Sequence, residues 1–392
     1  MMKIIKIAIA ILLVALFAVG IWVGGNASTQ EYVITLYRPE GEQAYLTKTY
    51  TNGLPCLEPF KILTFTDPHF KGDMEGASSA ASFTLIENTI KQEKPDLLII
   101  CGDIVLGARA ELGAAKLGNL FEQYNQYWGF VLGNHDGEHT ESPSRTELVD
   151  IYCSFEHCIN SSEPSIWGDG NCIVNIKAGN RITQSLILLD SGDYLKQDFC
   201  AEYGFEYKNA YDFIKYDQIE WYKEQMYAIA EREGNMPPSI MFIHIPLVEY
   251  KTAYSEATKE KSIIYGMQRE SICSSPYNTG MFDAILEVGS TQAVVCGHDH
   301  INDFCVDYQG VKLLYSQSTS FGSYYMRSNV LYYGVYMADK TNDRFSDGHT
   351  QFSIDRSGTL TITPLLNQDN PSLFEGLSQT QLEELKIAQT LA

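Results

Sequence analysis

The chain has 392 residues, 45% of them hydrophobic, which is typical of a globular protein with a large core and excludes intrinsic disorder. Its formal net charge of −21 indicates an acidic surface that repels nucleic acid and anionic lipid, so we expect no nucleic-acid partner. A small phosphate ester attracted to a local cation is compatible with this charge, and no sequence pattern sets an oligomeric state.

Residues 1–27 have the pattern of an export signal. Lys3 and Lys6 precede an almost unbroken apolar run over 7–23, and small residues follow at a cleavage point. We therefore expect an exported protein. It is either secreted after cleavage or tethered to the membrane by the uncleaved segment.

The nine cysteines are an odd number, so at least one is unpaired or pairs between chains. Cys101 and Cys296 each end an apolar run and are predicted to be buried thiols. Six others lie in polar stretches, where export favours disulfides. Among these, Cys273 and Cys305 are a candidate pair.

Strands and helices alternate along most of the chain, and no linker divides it. Residues 28–59 hold two short strands, 32–36 and 44–47, predicted to form an edge hairpin packed on a main domain of residues 60–365. Within that domain we predict strands, with their polar ends, at 60–69, 97–103, 130–136, 172–176, 185–190, 240–246, 293–300, 311–315, 331–336, 351–355 and 360–364, and helices at 82–93, 110–127, 144–152, 219–232 and 279–287. Residues 366–392 are predicted to be a polar helical tail.

Three local predictions concern the ends and loops of these elements. Ser144 with Glu147, and Asp217 with Glu220, have the spacing of capping boxes at the starts of two helices. Residues 247–277 show weak periodicity, so we expect them to form loops over a functional site.

Five of the predicted strands end in polar residues of the kinds that bind metals. These are Asp67 and His69, Asp103, Asn134 and His135, His244, and His298 and His300. In open α/β sheets ligands bind at the carboxyl ends of the strands, so we expect these side chains to converge on one edge of the sheet. Five of the eight histidines lie at these ends, whereas His139, His157 and His349 are predicted to be solvated loop residues.

The ligand types narrow the chemistry of the predicted site. Carboxylate, amide and imidazole groups without thiolate suit Mn, Fe or Zn rather than a structural zinc held by cysteines. Seven ligand groups are too many for one tetrahedral ion. They suit two ions about 3.5–4 Å apart that share a carboxylate and a bridging hydroxide.

The ordered set of motifs resembles the signature of the calcineurin-like metallophosphoesterases. The motifs are Asp67-Pro68-His69, Gly102-Asp103, Gly133-Asn134-His135-Asp136, His244 and Gly297-His298-Asp299-His300. Residues 190–194, 242–246 and 297–304 resemble, more narrowly, the purple-acid-phosphatase-like branch. The resemblance extends over about residues 60–325. It implies an α/β fold, a four-layer α/β/β/α sandwich of two mixed sheets flanked by helices.

The resemblance also implies a role for each site residue. One ion would be bound by Asp67, His69 and His300, a second by Asn134, His244 and His298, and Asp103 would bridge the two. His135 would lie near the leaving oxygen as the general acid, with Asp136 holding its ring. Purple enzymes have a tyrosine three residues after the bridging aspartate and no histidine in the first motif, whereas this chain has Leu106 and His69. The phenolate that gives those enzymes their colour is therefore missing.

We expect an exported enzyme that hydrolyses phosphate esters by in-line attack of the metal-bridging hydroxide, and the sequence leaves both monoesters and diesters open. The alternative is an inactive secreted binding or adhesion protein on the same scaffold, although no ligand position is missing. A regulatory protein phosphatase fits poorly with the export signal. Lys251, Arg269 and Arg327 are candidate cations for a second phosphate, and residues 320–325 are candidate pocket lining.

Overall fold

The computed structural model describes residues 31–72, 77–319, 331–332, 335–336 and 348–379. The predicted export segment, the predicted pocket lining at 320–325 and Arg327 lie outside the described residues, as do residues 380–392 of the predicted helical tail. Within the described part of the chain, no helix is both long enough and apolar enough to cross a membrane.

The strands have the following bounds in chain order. They are β1 (Tyr32–Tyr37), β2 (Ala44–Tyr50), β3 (Phe60–Phe65), β4 (Phe70–Lys71), β5 (Leu97–Cys101), β6 (Val105–Leu106), β7 (Trp128–Val131), β8 (Cys172–Ala178), β9 (Arg181–Leu188), β10 (Ser239–Phe242), β11 (Thr291–Cys296), β12 (Cys305–Tyr308), β13 (Val311–Tyr315), β14 (Leu331–Tyr332), β15 (Val335–Tyr336), β16 (Gly348–Ile354) and β17 (Leu360–Leu366). The predicted single strand at 331–336 is thus two short paired strands.

The helices alternate with these strands. They are α1 (Ala77–Glu93), α2 (Ala110–Gln123), α3 (Arg145–Cys153), α4 (Gln197–Glu202), α5 (Tyr216–Glu233), α6 (Glu249–Glu260) and α7 (Met281–Val288). The predicted capping box of α3 is present, because the Ser144 side chain accepts from the backbone of Glu147 and the Glu147 carboxylate accepts from the backbone of Ser144.

Two mixed sheets form the centre of the described structure. The larger has the strand order β1-β2-β8-β9-β10-β11-β13-β12, and the smaller has the order β17-β16-β3-β5-β7. Strands β3, β5 and β7 run parallel to one another in the smaller sheet, as do β9, β10, β11 and β13 in the larger. The predicted hairpin of β1 and β2 lies at the edge of the larger sheet, where β2 pairs with β8.

The sheets face each other, and helices cover their outer faces. One apolar cluster fills the space between the sheets and includes Ile99 of β5 and Phe242 of β10. A second joins the smaller sheet to α1, α2 and α3, and a third joins the larger sheet to α5, α6 and α7. The arrangement confirms the predicted four-layer sandwich. It also explains why β5 is apolar throughout: Leu97 and Ile99 face the other sheet, while Leu98 and Ile100 face the helices.

Two predictions about local structure are wrong. The segment predicted as loops over 247–277 contains helix α6, whose buried face consists of Tyr250, Ala253 and Ala257. Two of these three residues are alanines, whose small side chains contribute little to the apolar periodicity of the sequence. The sequence pattern therefore does not indicate a helix here. Helix α5 starts at Tyr216, earlier than predicted, so the predicted capping box of Asp217 with Glu220 is wrong. The Lys215 backbone N–H donates to the Gln218 side chain at 2.8 Å, and the Asp217 carboxylate accepts from the backbone N–H of Trp167.

The structure also contradicts the predicted disulfide and the predicted exposure of His349. All nine cysteines are free thiols, so the Cys273–Cys305 pairing is wrong. The Cys273 thiol instead donates to the Ser271 carbonyl oxygen at 3.3 Å, and Cys305 is buried in β12. His349 is not a solvated loop residue, because it lies in β16 with 2% of its surface exposed.

Candidate metal centre

The polar strand ends meet where the two sheets face each other. Three of them follow β3, β5 and β7 of the smaller sheet, and two follow β10 and β11 of the larger. The predicted convergence is therefore between the ends of two sheets, rather than on one edge of a single sheet. Hydrogen bonds join the two sides, since His244 Nδ1 lies 2.8 Å from the Cys101 carbonyl oxygen and the backbone N–H of His298 donates to the Asp67 carboxylate at 3.1 Å.

The side chains at this junction form two groups that share one carboxylate. The first consists of Asp67, His69, Asp103 and His300, and the second of Asp103, His244 and His298. Within each group the potential ligand atoms all lie within 4.8 Å of one another, and every member is buried. Asn134 adjoins the second group, because its Oδ1 lies 3.2 Å from His244 Nε2. All seven sequence-predicted ligands are thus brought together, in the two sets that the resemblance implies.

The donor atoms within each group point at a common centre. In the first, His69 Nε2 lies 3.1 Å from His300 Nε2, and His300 Nε2 lies 3.4 Å from Asp67 Oδ1. In the second, His244 Nε2 lies 3.4 Å from Asp103 Oδ2. His298 Nε2 is buried and has no hydrogen-bond partner. Buried polar groups are normally paired, so an unpaired ring nitrogen beside a carboxylate fits a site built for a cation.

The protonation of these groups also suits metal binding. Burial lowers the pKa of His69 and of His298 to about 3, so both rings keep a free lone pair at neutral pH. Burial raises the pKa of Asp67, but its interactions with His300 and His244 outweigh that effect and lower the value to about 2. The site therefore presents the neutral imidazoles of His69 and His298 and an ionised Asp67. Burial lowers the pKa of His244, but the charges of Asp103 and Asp67 outweigh that effect and raise the value to about 9, so a metal ion would take the place of a proton on that ring.

Backbone conformation supports the same interpretation. Asp67, His69, Asp103 and His298 all have positive φ angles, of 54°, 46°, 49° and 77°. Residues other than glycine rarely adopt positive φ angles, and holding one residue in this conformation costs about 1–3 kcal/mol. Four such residues in one buried cluster indicate that the fold maintains a strained arrangement for function.

Two glycines of the predicted motifs are explained by close approach. A Cβ atom on Gly133 would overlap the backbone nitrogen and carboxylate of Asp103, and one on Gly297 would overlap the Thr66 hydroxyl. Any larger residue would therefore displace the shared carboxylate or the strand end beside Asp67. The glycines permit the strand ends to approach closely enough for their side chains to share a centre.

His135 lies at the mouth of the site. Its ring centre is 5.4 Å from that of His69, and 34% of its side chain is exposed. Its Nδ1 lies 2.8 Å from a Glu138 oxygen, so Glu138 is the carboxylate beside this ring.

The expected role of Asp136 in holding the His135 ring is wrong. The Asp136 carboxylate instead accepts from the backbone N–H groups of Ile104, Val105 and Gly133. Asp136 thus fixes the loop that carries Asn134 and His135.

Sequence reasoning assigned no role to two tyrosines beside the second group. Tyr194 Oη lies 3.0 Å from Asn134 Nδ2, and the Tyr211 ring contacts the His298 ring edge to face at 4.3 Å. Tyr194 belongs to a motif that carries the family resemblance, but Tyr211 lies in a loop with no sequence signal.

Two of the predicted phosphate-binding cations, Arg269 and Lys251, differ in their surroundings. Arg269 Nη1 lies 2.5 Å from Asp303 and donates to the carbonyl oxygen of Ile301, so its charge is already paired on the turn after His300. Lys251 is exposed on α6.

Comparisons with known proteins agree with this architecture. The sequence model of the calcineurin-like phosphoesterase family matches residues 60–302. The chain is 29% identical over 300 residues to "Probable inactive purple acid phosphatase 14" of Arabidopsis thaliana, which covers 68% of this chain and 71% of that protein. It is 30% identical over 312 residues to "Phosphatase DCR2" of Saccharomyces cerevisiae, which covers 71% of this chain and 52% of that protein.

Solved structures of low sequence identity are also similar. A dimetal phosphatase from Danio rerio aligns with a TM-score of 0.45 and 12% identity, covering 78% of this chain and 98% of that one. The purple acid phosphatase PPD1 from yellow lupin, Lupinus luteus, aligns with a TM-score of 0.42 and 10% identity, covering 82% of this chain and 54% of that one. The family match spans more than half of the sequence and includes every candidate ligand. This chain belongs to the calcineurin-like phosphoesterase family.

Proposed function

We propose that this chain is an exported two-metal phosphoesterase that hydrolyses phosphate esters of small molecules. The observation that carries the proposal is the pair of buried ligand groups sharing Asp103. When two ions are bound, such a site supplies positive charge for the phosphoryl oxygens and lowers the pKa of a water molecule. The ligand chemistry is compatible with Mn, Fe or Zn.

The chain's own residues supply the remaining parts of the reaction. Asp67 and Asp103 offset the charge of the cations, and the neutral rings of His69 and His298 offer lone pairs. His135 faces the opening, where a leaving oxygen would depart, and its exposed ring can donate a proton there. Glu138, whose carboxylate lies 2.8 Å from Nδ1, adds a negative charge beside that ring.

Replacing His135 with alanine tests the proposed mechanism. General acid catalysis contributes about 10²–10⁴-fold, so we expect kcat on an alkyl phosphate to fall by at least about 100-fold while the metal content is unchanged. The matched control is His139→Ala, which removes an exposed histidine four residues further on and should leave the rate within about 2-fold. Equal rates for wild type and H135A would refute the role of His135, and loss of metal in H135A would reassign it as a ligand.

A second candidate function is an inactive binding protein on the same scaffold. Three similar Arabidopsis thaliana proteins are named "Probable inactive purple acid phosphatase", which favours this alternative. The complete set of candidate ligands favours the enzyme instead. Purified protein that binds metal but hydrolyses no ester in a broad panel would support the binding protein.

The substrate class and cellular location are parts of the same proposal. Rates on p-nitrophenyl phosphate and on its bis ester would separate a phosphomonoesterase from a phosphodiesterase. The apolar segment within residues 1–27 supports export, with either secretion or a membrane tether. The net charge of −21 supports small phosphate esters over nucleic acid as substrates.

A further inference from the structure

Two tyrosines form an aromatic surface beside the candidate metal centre. Tyr194 follows β9 and Tyr211 precedes α5, and the two residues face each other in an isolated antiparallel bridge. The Leu195 N–H donates to the carbonyl oxygen of Ala210 at 2.9 Å, which fastens the two segments together. The tyrosine rings stack with centres 5.6 Å apart and planes inclined by 26°. The backbone therefore holds this surface in a defined position.

This aromatic pair is in direct contact with the second ligand group. The Tyr194 hydroxyl lies 3.0 Å from the Asn134 side chain, and the Tyr211 ring lies against that of His298. A phosphate ester with its phosphoryl group between the two ligand groups would extend its alcohol portion along one of the nearby walls. The tyrosines form one such wall, and it lies near the proposed general acid, since Tyr194 bonds the side chain of Asn134, the residue next to His135.

Tyr194 is ordered but is not buried in a hydrophobic core. It leaves 38% of its surface exposed, although it is fixed at both its backbone and its hydroxyl. An ordered, exposed aromatic face beside buried polar ligands is a feature of binding sites, where rigid rings provide contact area at low entropic cost. Carboxylates flank it, because Asp193 precedes Tyr194 and Glu138 lies beside His135, and the nearby Lys196 ammonium is paired with Asp193 at 3.5 Å. The surroundings thus disfavour an alcohol portion with further negative charge.

From this geometry, and resting on the proposed function, we propose that Tyr194 and Tyr211 bind the alcohol portion of the substrate and select phosphate esters with an uncharged planar aromatic ring. The ring would stack on the exposed face of Tyr194. Aromatic pairs contribute beyond simple burial, enough for a preference of up to about 10-fold over a saturated ring of the same size.

The test compares benzyl phosphate with cyclohexylmethyl phosphate, whose leaving groups are both primary alcohols. We expect wild-type kcat/KM to favour the benzyl ester by about 5–10-fold. Tyr194→Leu should reduce this ratio to within about 2-fold, whereas Tyr194→Phe, which keeps the ring, should retain it. The control Tyr207→Leu removes a tyrosine that is 50% exposed in the same loop region and should also retain the ratio.

A binding measurement separates this inference from the proposed function. Calorimetric titration of the metal-loaded protein with benzylphosphonate and cyclohexylmethylphosphonate should give the same preference, with the same loss in Y194L. Equal affinities in wild type, or a preference that survives in Y194L, would overturn the aromatic wall. A phosphonate preference without hydrolysis of any ester would support the wall and refute the proposed enzymatic function.

Discussion

At the scale of single residues, His349 is a buried histidine that belongs to neither ligand group. Its ring lies 5.9 Å from that of Phe65, and neither of its ring nitrogens has a hydrogen-bond partner among the described contacts. Burial lowers its pKa to about 4, and the nearby Lys61 charge acts in the same direction. The folded protein therefore keeps this ring neutral where an unfolded chain would protonate it.

The depressed pKa of His349 predicts a specific loss of stability in acid. Between its ordinary pKa of about 6.5 and the folded value of about 4, the unfolded chain binds a proton that the folded chain does not. Stability should therefore fall as the pH drops through this window, by about 2 kcal/mol from pH 7 to pH 5 for this residue alone.

Denaturant unfolding of wild type and of His349→Phe at pH 7 and pH 5 measures this contribution. All other titrating groups are common to both proteins, so the difference between their pH dependences isolates His349. We expect the free energy of unfolding of the variant to decrease less between the two pH values. Identical decreases in the two proteins would refute the assignment of an uncharged, buried ring.

At the scale of elements, Arg145 at the start of α3 ties two functional loops together. Its Nη1 donates to the Gly133 carbonyl oxygen at 2.5 Å, in the loop that carries Asn134 and His135. Its Nη2 donates to Asp190 at 2.6 Å, in the loop that leads to Tyr194. The two terminal nitrogens of the guanidinium are held in one plane and can bind both loops at once, which a lysine ammonium does less well.

Arg145→Lys should therefore lower kcat/KM by about 10–100-fold, the range typical of groups that orient metal ligands. The control is Arg181→Lys, at an exposed arginine whose side chain bonds the Ser357 carbonyl oxygen away from the site. Metal content and melting temperature, measured for both variants, distinguish displacement of Asn134 from general unfolding. If R145K and R181K retain equal activity, Arg145 does not position the loops.

The elements also illustrate which parts of the site follow from sequence. Carboxyl ends of parallel strands meet at one end of a sheet, so the ligands after β3, β5, β7, β10 and β11 could be predicted from apolar runs followed by polar residues. Tyr211 could not, because its place beside His298 depends on backbone pairing between two irregular segments. The same limit applies to Glu138, whose contact with His135 depends on the conformation of a turn.

At the scale of the whole molecule, the two sheets act together to form one centre. The smaller sheet supplies Asp67, His69, Asp103 and Asn134, and the larger supplies His244, His298 and His300. The four-layer order could be predicted through the family resemblance. The strand ends alone could not show that the centre lies between two sheets. The sequence of a strand does not determine which sheet that strand joins.

Because each sheet supplies part of the ligand set, replacing one histidine from either sheet should weaken metal binding. His69→Ala removes a ligand of the first group and leaves the second intact, and His298→Ala does the reverse. Since each variant keeps the shared Asp103, we expect each to retain about one ion per chain when wild type holds about two.

Metal quantification on the purified wild-type chain, after dialysis against metal-free buffer, tests the central claim most directly. The two buried groups predict about two transition-metal ions per chain, and about one in H69A and in H298A. A wild-type chain that binds no metal, or one whose bound metal is unchanged in both variants, would contradict the two-metal centre.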